Sequence, residues 1–173
     1  MAPGPVPSAV LVPVFLKNGE YHLLFTKRTE NLNHHRGEIS FPGGVRQPED
    51  EDSLRTALRE TREEVGIEPD GVEILGVLDD FYSIHGYLIT PYVGMIPAAC
   101  DYRVNSSEIE RIIEVPLRHL LNPDIFRIED WTWKGRTHPV FFYSYRGDEI
   151  WGVTAAILKQ FLDLVFGPEK EVS

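Results

Sequence analysis

Apolar residues run or alternate from Val10 to Leu16 and again from Tyr21 to Thr26, with the polar turn Lys17-Asn18-Gly19-Glu20 between them, which predicts a β-hairpin. Further β-rich stretches lie at Val72 to Leu78 and Tyr87 to Ile96, while Glu108 to Ile113 suits either a helix or a strand. Pro116 to Leu121 reads as a short helix. Phe126 to Trp133 and Pro139 to Tyr145 flank Lys134-Gly135-Arg136-Thr137, a second hairpin. A closing helix is predicted over Trp151 to Phe166, where Ala155, Leu158, Leu162 and Val165 share one face. Strands with helices on both sides predict an α/β fold, a mixed-sheet α/β/α sandwich. No internal repeat or low-complexity linker interrupts the series, so residues 1–173 are read as a single domain with 1–8 as a flexible lead.

The segment Ala57-Leu-Arg-Glu-Thr-Arg-Glu-Glu-Val-Gly-Ile67 follows helical spacing of another kind. Leu54, Leu58, Thr61 and Val65 share a stripe, with Ala57 at its edge, and this face packs inward. Glu60, Glu63 and Glu64 stand at i, i+3 and i+4, where like charges repel. Arg59 reaches Glu63 one turn on, but Glu60 and Glu64 have no cation four residues away. Two readings follow, a solvated acidic face or a site for a hard divalent cation held by carboxylate oxygens. Upstream, Ser40-Phe-Pro-Gly-Gly-Val45 holds a turn whose paired Gly43 and Gly44 allow close backbone approach to a ligand. The acidic run Glu49 to Asp52 then favours the positive end of the following helix.

Composition narrows the options. The 173 residues are 42% hydrophobic, enough for one sizeable core, and the net charge is −10. That charge argues against a nucleic-acid groove or an anionic membrane surface, both of which select basic patches. An anionic ligand would then have to meet local cations. The single cysteine, Cys100, allows no internal disulfide and suits a reducing cytoplasm. The first residues are apolar, but four prolines and no early basic residue fit neither a secretory signal nor a spanning helix. His34 and His35 are adjacent, point apart and read as exposed loop residues, and His85 with Gly86 reads as a surface turn. Trp131, Trp133 and Trp151 are assigned to the core or an interface rather than to stacking on an adenine.

Taken together, Gly-Gly, the acidic run, Arg59-Glu-Thr-Arg-Glu-Glu64 and Gly66-Ile67 resemble the box of the Nudix hydrolases. Thr61 stands where that box has a bulky apolar residue, and the loop is one residue longer, so Asp50 or Glu51 fills the first acidic position. Leu23 to Gly44 resembles the coenzyme A pyrophosphatase branch, with Thr26, Arg28, Gly37 and Phe41 to Gly44 matching. Phe25, Thr29 and Asn33 differ from that branch, and Asn33 stands where it has an arginine. Later segments from Leu78 to Gly94, Ile113 to Leu121 and Ile150 to Leu158 resemble it too.

The resemblance implies a magnesium- or manganese-dependent enzyme that cuts coenzyme A or a derivative into a phosphopantetheine and adenosine 3′,5′-bisphosphate. Its alternatives are another nucleoside diphosphate derivative, such as ADP-ribose or a dinucleotide, and a non-catalytic binding module. Glu60 and Glu64 are the first-choice metal ligands and Glu63 the third, with Arg59 orienting Glu63. Lys27, Arg28 and Arg36 are the cations for phosphate, and Gly43 and Gly44 offer backbone. Glu108, with Glu110 behind it, is the candidate general base. The partner is a small molecule, and the chain is expected as a monomer or homodimer.

Overall fold

A computed structural model describes residues 3–35, 37–98 and 101–168. Its organising element is β1 (Val6–Lys17), which turns through the predicted hairpin into β2 (Glu20–Arg28) with Val14 opposite Leu23. Two short strands follow, β3 (Ile39–Ser40) and β4 (Gly43–Val45). After them come helix α1 (Ser53–Val65), β5 (Glu73–Val77), β6 (Phe81–Tyr82) and β7 (Tyr87–Met95). β1 pairs parallel with β7 from Val6↔Tyr87 to Val14↔Met95, and every other pairing in the sheet is antiparallel. The sheet is therefore mixed, as expected. Near its start β1 also holds β4, with Ala9 opposite Gly44, while β2 pairs with β3 at its far end and with β8 (Ile109–Pro116) from His22 to Arg28.

Alternation along the two central strands sorts the core into two layers. Ala9, Leu11, Phe15 and Leu24 face α1 through Ala57 and Val65. Val12, Val14, Leu23 and Phe25 face the opposite way, onto Leu158, Phe161 and Leu162 of the closing helix, α3 (Gly152–Phe166). Between β8 and α3 the chain forms α2 (Leu117–Leu120) and a three-stranded sheet of β9 (Phe126–Trp133), β10 (Arg136–Tyr145) and β11 (Asp148–Trp151). Helices thus cover both faces of the main sheet. No helix among the described residues is long and apolar enough to cross a membrane.

Several boundaries differ from the sequence reading. β1 begins at Val6 rather than Val10, because β7 and β4 flank its first residues and satisfy their backbone groups. Residues 6–8 therefore belong to the sheet and not to a lead. The ambiguous stretch after Glu108 is a strand that pairs with β2 from Ile109 onward. Periodicity missed β3, β4, β6 and β11, which are two to four residues long. The tryptophans do not fill the core: Trp131 and Trp133 are about half exposed, and Trp131 packs on Trp151 and Phe142 at the surface of the smaller sheet. Cys100 and Arg36 lie outside the described residues.

Candidate metal and diphosphate site

Helix α1 carries the acidic cluster, and its ends show how it is held. Asp52 caps the N-terminus by accepting from the Arg55 N–H at 2.9 Å. At the other end Gly66 adopts φ 77°, a left-handed conformation suited to glycine, and its N–H donates to the Arg62 carbonyl. The buried face is Thr56, Ala57, Leu58, Thr61, Glu64 and Val65. Thr61 is tolerated there because its hydroxyl donates to the Ala57 carbonyl at 2.7 Å. The stripe is rotated from the predicted one: Leu54 is only partly buried and Glu64 is 3% exposed.

That rotation gives the three glutamates different surroundings. Glu63 is the exposed one, drawn to Arg59 Nη1 at 3.3 Å as the i, i+4 spacing predicts. Glu60 also has a cation, contrary to the expectation from helical spacing, because the Arg59 side chain folds back and puts Nη1 at 3.0 Å from Glu60 Oε1. Glu64 has no cation on its own helix. It lies against β4 and β2, accepting from the Gly43 backbone with the Arg28 charge nearby. Burial, and then the Glu60 charge, push its carboxyl from the ordinary 4.5 up to about 8. Glu60 is shifted upward too, chiefly by burial, against the pull of Arg59.

Arg59 is the hub of this arrangement. Nε donates to Asp50 Oδ1 at 2.9 Å, and Nη2 donates to Asp50 Oδ2 at 3.0 Å and to the Val45 carbonyl at 3.2 Å. With Glu60 and Glu63 this uses all the donors of the guanidinium. Asp50 also accepts from the Thr56 hydroxyl and the Gln47 N–H, and Arg59 holds its carboxyl well below the usual carboxylate range. Glu51 is exposed. Asp50 is therefore the acid that locks the glycine loop to the helix.

The other predicted residues divide. Gly44 approaches Glu60 so closely that a Cβ would stand 2.6 Å from its carboxylate, and Gly43 lies against Glu64. Glu108, in the turn before β8, is partly buried, and its charge adds to the upward shift of both Glu60 and Glu64. Lys27 is not brought to the carboxylates. Alternation places it on the other face of β2, where it meets Asp148 at 3.5 Å and Glu110 at 3.9 Å. Glu110 belongs to that pairing and not to the cluster. His34 and His35 are exposed, and the His35 ring meets the His85 ring edge-on at 5.3 Å.

Among the described residues no three acidic, imidazole or thiol side chains already converge as a metal cage. Magnesium does not require one, since it takes one or two carboxylates and completes its shell with water and phosphate oxygens. Two facing carboxylates, one of them buried without an intrahelical cation, fit such an ion by charge and by oxygen chemistry.

Residues 5–134 match the NUDIX domain family. The chain belongs to that family. A relative described as an uncharacterized Nudix hydrolase NudL, from Photorhabdus laumondii, is 41% identical over 153 residues, 88% of this chain and 81% of the relative. A NudL protein of Escherichia coli K12 is 37% identical over 88% of this chain and 79% of its own length. Among solved structures, the Nudix hydrolase RenU of M. smegmatis aligns with a TM-score of 0.57 at 18% identity, over 69% of this chain and 75% of its own. The NUDIX domain of Shewanella oneidensis NrtR, complexed with ADP ribose, gives 0.53 at 16% identity over 69% and 77%. A C. elegans Ap4A hydrolase gives 0.54 at 19% identity over 64% and 80%. These structural likenesses bear on the Nudix fold alone.

Proposed function

We propose that this Nudix protein hydrolyses the diphosphate bridge of a nucleoside diphosphate derivative, with coenzyme A or a close derivative as substrate and magnesium or manganese held at Glu60 and Glu64. The observation that carries the proposal is the burial of Glu64 beside Glu60, with its carboxyl pushed up to about 8 and no cation on its own helix. A solvated acidic face has no reason to bury its acid. A bound divalent cation would neutralise phosphate oxygens and make a water more acidic. The chain's own groups do the rest. Arg59 fixes Glu60 and Glu63 on one side of the helix, and Asp50 fixes Arg59. Glu108 takes the proton of the attacking water. That water forms a new P–O bond, the bridging P–O bond breaks, and two phosphate monoesters leave. Arg28 offers positive charge to the substrate on the same side as Glu64.

Preference for coenzyme A rests on the Leu23 to Gly44 pattern, which has Arg28 at the end of β2 and Gly43 and Gly44 in β4. ADP-ribose and dinucleotides form the second reading, favoured by the ADP ribose bound to the NrtR domain and by the Ap4A hydrolase among the structural neighbours. A cytoplasmic setting accords with the single cysteine. A turnover screen over coenzyme A, ADP-ribose and diadenosine polyphosphates, with magnesium, with manganese and with chelator, tests the proposal. Metal-dependent release of two phosphate monoesters from coenzyme A supports it, and no turnover of any diphosphate with either metal refutes it.

A further inference from the structure

All three tryptophans of the chain stand on one face of the smaller sheet. Trp131 and Trp133 are two residues apart on β9, and the register runs from Trp151 of β11 through Phe142 of β10 to Arg127 of β9, so alternation brings these side chains out on the same side. The rings agree. Trp131 lies 5.5 Å from Trp151 and 5.9 Å from Phe142 between centroids, and Phe142 stacks on Trp151 at 6.1 Å. The reverse face is the one that joins the core, through Phe126, Phe141, Tyr143 and Ile150. Neither core layer includes the tryptophans or Phe142, and Trp131 and Trp133 are 44% and 50% exposed. β10 and β11 also lie past residue 134, where the family match ends.

A contiguous group of half-exposed aromatic side chains marks an interaction surface. This one is held rigid: Trp131 Nε1 donates to Glu129 at 2.9 Å, and Arg127 lies over the Phe142 ring at 4.2 Å while paired with Glu129 and Glu149. Fixed Trp and Arg side chains are the usual anchors of protein interfaces, because little freedom is lost on docking. Charge decides what docks. The chain carries −10 in all, so two copies repel across most of their surface. On this face the acids are matched, with Arg127 between Glu129 and Glu149 and Arg136 at the hairpin tip. Sheets stacked face to face keep their strands nearly aligned. When β9 lies antiparallel on β9 of a second copy with Trp131 at the two-fold, Trp133 comes over the other copy's Glu129, and Arg136, paired with Trp133, comes beside it. A two-fold makes that contact twice. We infer that the tryptophan face is a homodimer surface centred on Trp131, with Arg136 of each copy against Glu129 of the other. The face spans roughly 25 Å by 12 Å, on the order of 300 Å² in projection and below the roughly 800 Å² per partner of a standard interface, so the dimer is weak, with Kd on the order of 10 μM. The inference is independent of the diphosphate reading.

The test is sedimentation velocity of the full chain over about 1 to 500 μM, with tryptophan emission followed in parallel, since all three reporters lie on the face. Wild type passes from monomer to dimer across that range, and its emission shifts to shorter wavelength as it does. Arg136→Glu and Glu129→Lys each raise Kd about tenfold or more, and an equimolar mixture of the two recovers wild-type association, because the exchanged charges then face each other at both contacts. Melting temperature shows that each variant is folded. Should Glu129→Lys, which loses the Trp131 and Arg127 contacts, fail to fold, Arg136→Glu decides alone, at an exposed position where the melting temperature stays as in wild type. Wild type that is monomeric throughout overturns the inference, and so does a dimer that both variants form as tightly as wild type, which places the contact on another surface. A monomer whose tryptophan emission shifts on adding coenzyme A or ADP-ribose gives the face to a small molecule and overturns it as well.

Discussion

Asp50 and Arg59 meet in a two-point fork, Oδ1 to Nε at 2.9 Å and Oδ2 to Nη2 at 3.0 Å, that ties the glycine loop to the helix bearing the glutamates. Asp50 is 7% exposed, so the contact is screened little by solvent. Replacing Asp50 with Asn leaves Arg59 without its main partner and is expected to cost about 2 to 4 kcal/mol, whereas Glu51→Gln, at an exposed position, changes stability by less than about 0.5 kcal/mol. The folded Asp50 carboxyl is depressed, so its contribution is present above the unfolded value and fades as pH drops. Urea denaturation at pH 7 and at pH 3 checks both points: the gap between wild type and Asp50→Asn narrows at pH 3.

Gly43 and Gly44 are adjacent but separable. A Cβ on Gly43 would meet the Ala9 carbonyl oxygen at 2.3 Å and Val10 Cα at 2.7 Å, so Gly43→Ala forces β4 off β1 and lowers the melting temperature sharply. On Gly44 the nearest atoms belong to the Glu60 side chain, which can swing away where a backbone cannot. Gly44→Ala is expected to fold nearly as wild type and to lose metal affinity by about tenfold or more. Thermal melts paired with a manganese titration distinguish the two.

In metal-free protein Glu64 sets a pH dependence of known sign. Its folded carboxyl titrates near 8 against an ordinary 4.5, so between these values the folded state holds more protons than the unfolded one. Stability is full below about 4.5 and falls as pH rises through 8, by about 5 kcal/mol at most. Melting curves in chelator from pH 5 to 8.5 should show the decline, and Glu64→Gln should flatten it. Saturating magnesium should oppose it, because the ion favours the ionised carboxylate.

The features legible in the sequence were those with long periodicity. β9 begins and ends where its pattern does, and α3 differs from its pattern by one residue. Strands of two to four residues carry too little pattern to register, and β4, which presents Gly43 and Gly44, is one of them. Within the site, one-dimensional spacing foresaw the Arg59–Glu63 contact but not Arg59–Glu60, since helical spacing ignores how far a long side chain can fold back. It left the first acidic position open between Asp50 and Glu51, a choice made by burial. That spacing foresaw the lack of a cation for Glu64 on its own helix but not its burial against β4 and β2, which are distant in sequence. Alternation on β2 could have separated Lys27 from Arg28 in advance.

The proposed substrate choice rests on phosphate count. Coenzyme A carries a 3′-phosphate that its dephospho form lacks, and Arg28 and Arg36 are the cations proposed for substrate phosphate. A charge-assisted contact contributes about 1.5 to 3 kcal/mol, so coenzyme A should be preferred by roughly one to two powers of ten in kcat/KM. Arg36→Ala should reduce that ratio, whereas Arg28→Ala, beside Glu64, should weaken both substrates alike. Equal constants for the two substrates in wild type would dispose of phosphate reading, and faster cleavage of ADP-ribose than of either would move the enzyme to the second reading.

The measurement that bears most directly on the account is the rate of diphosphate cleavage by wild type and by Glu64→Gln across a magnesium titration, with melting temperature followed alongside. Glutamine keeps the shape of the side chain and removes the ionisable group buried against Glu60. The account predicts a folded variant, at least as stable as wild type in chelator, whose rate at saturating magnesium is lower by about two powers of ten or more. A Glu64→Gln protein turning over at the wild-type rate would contradict it.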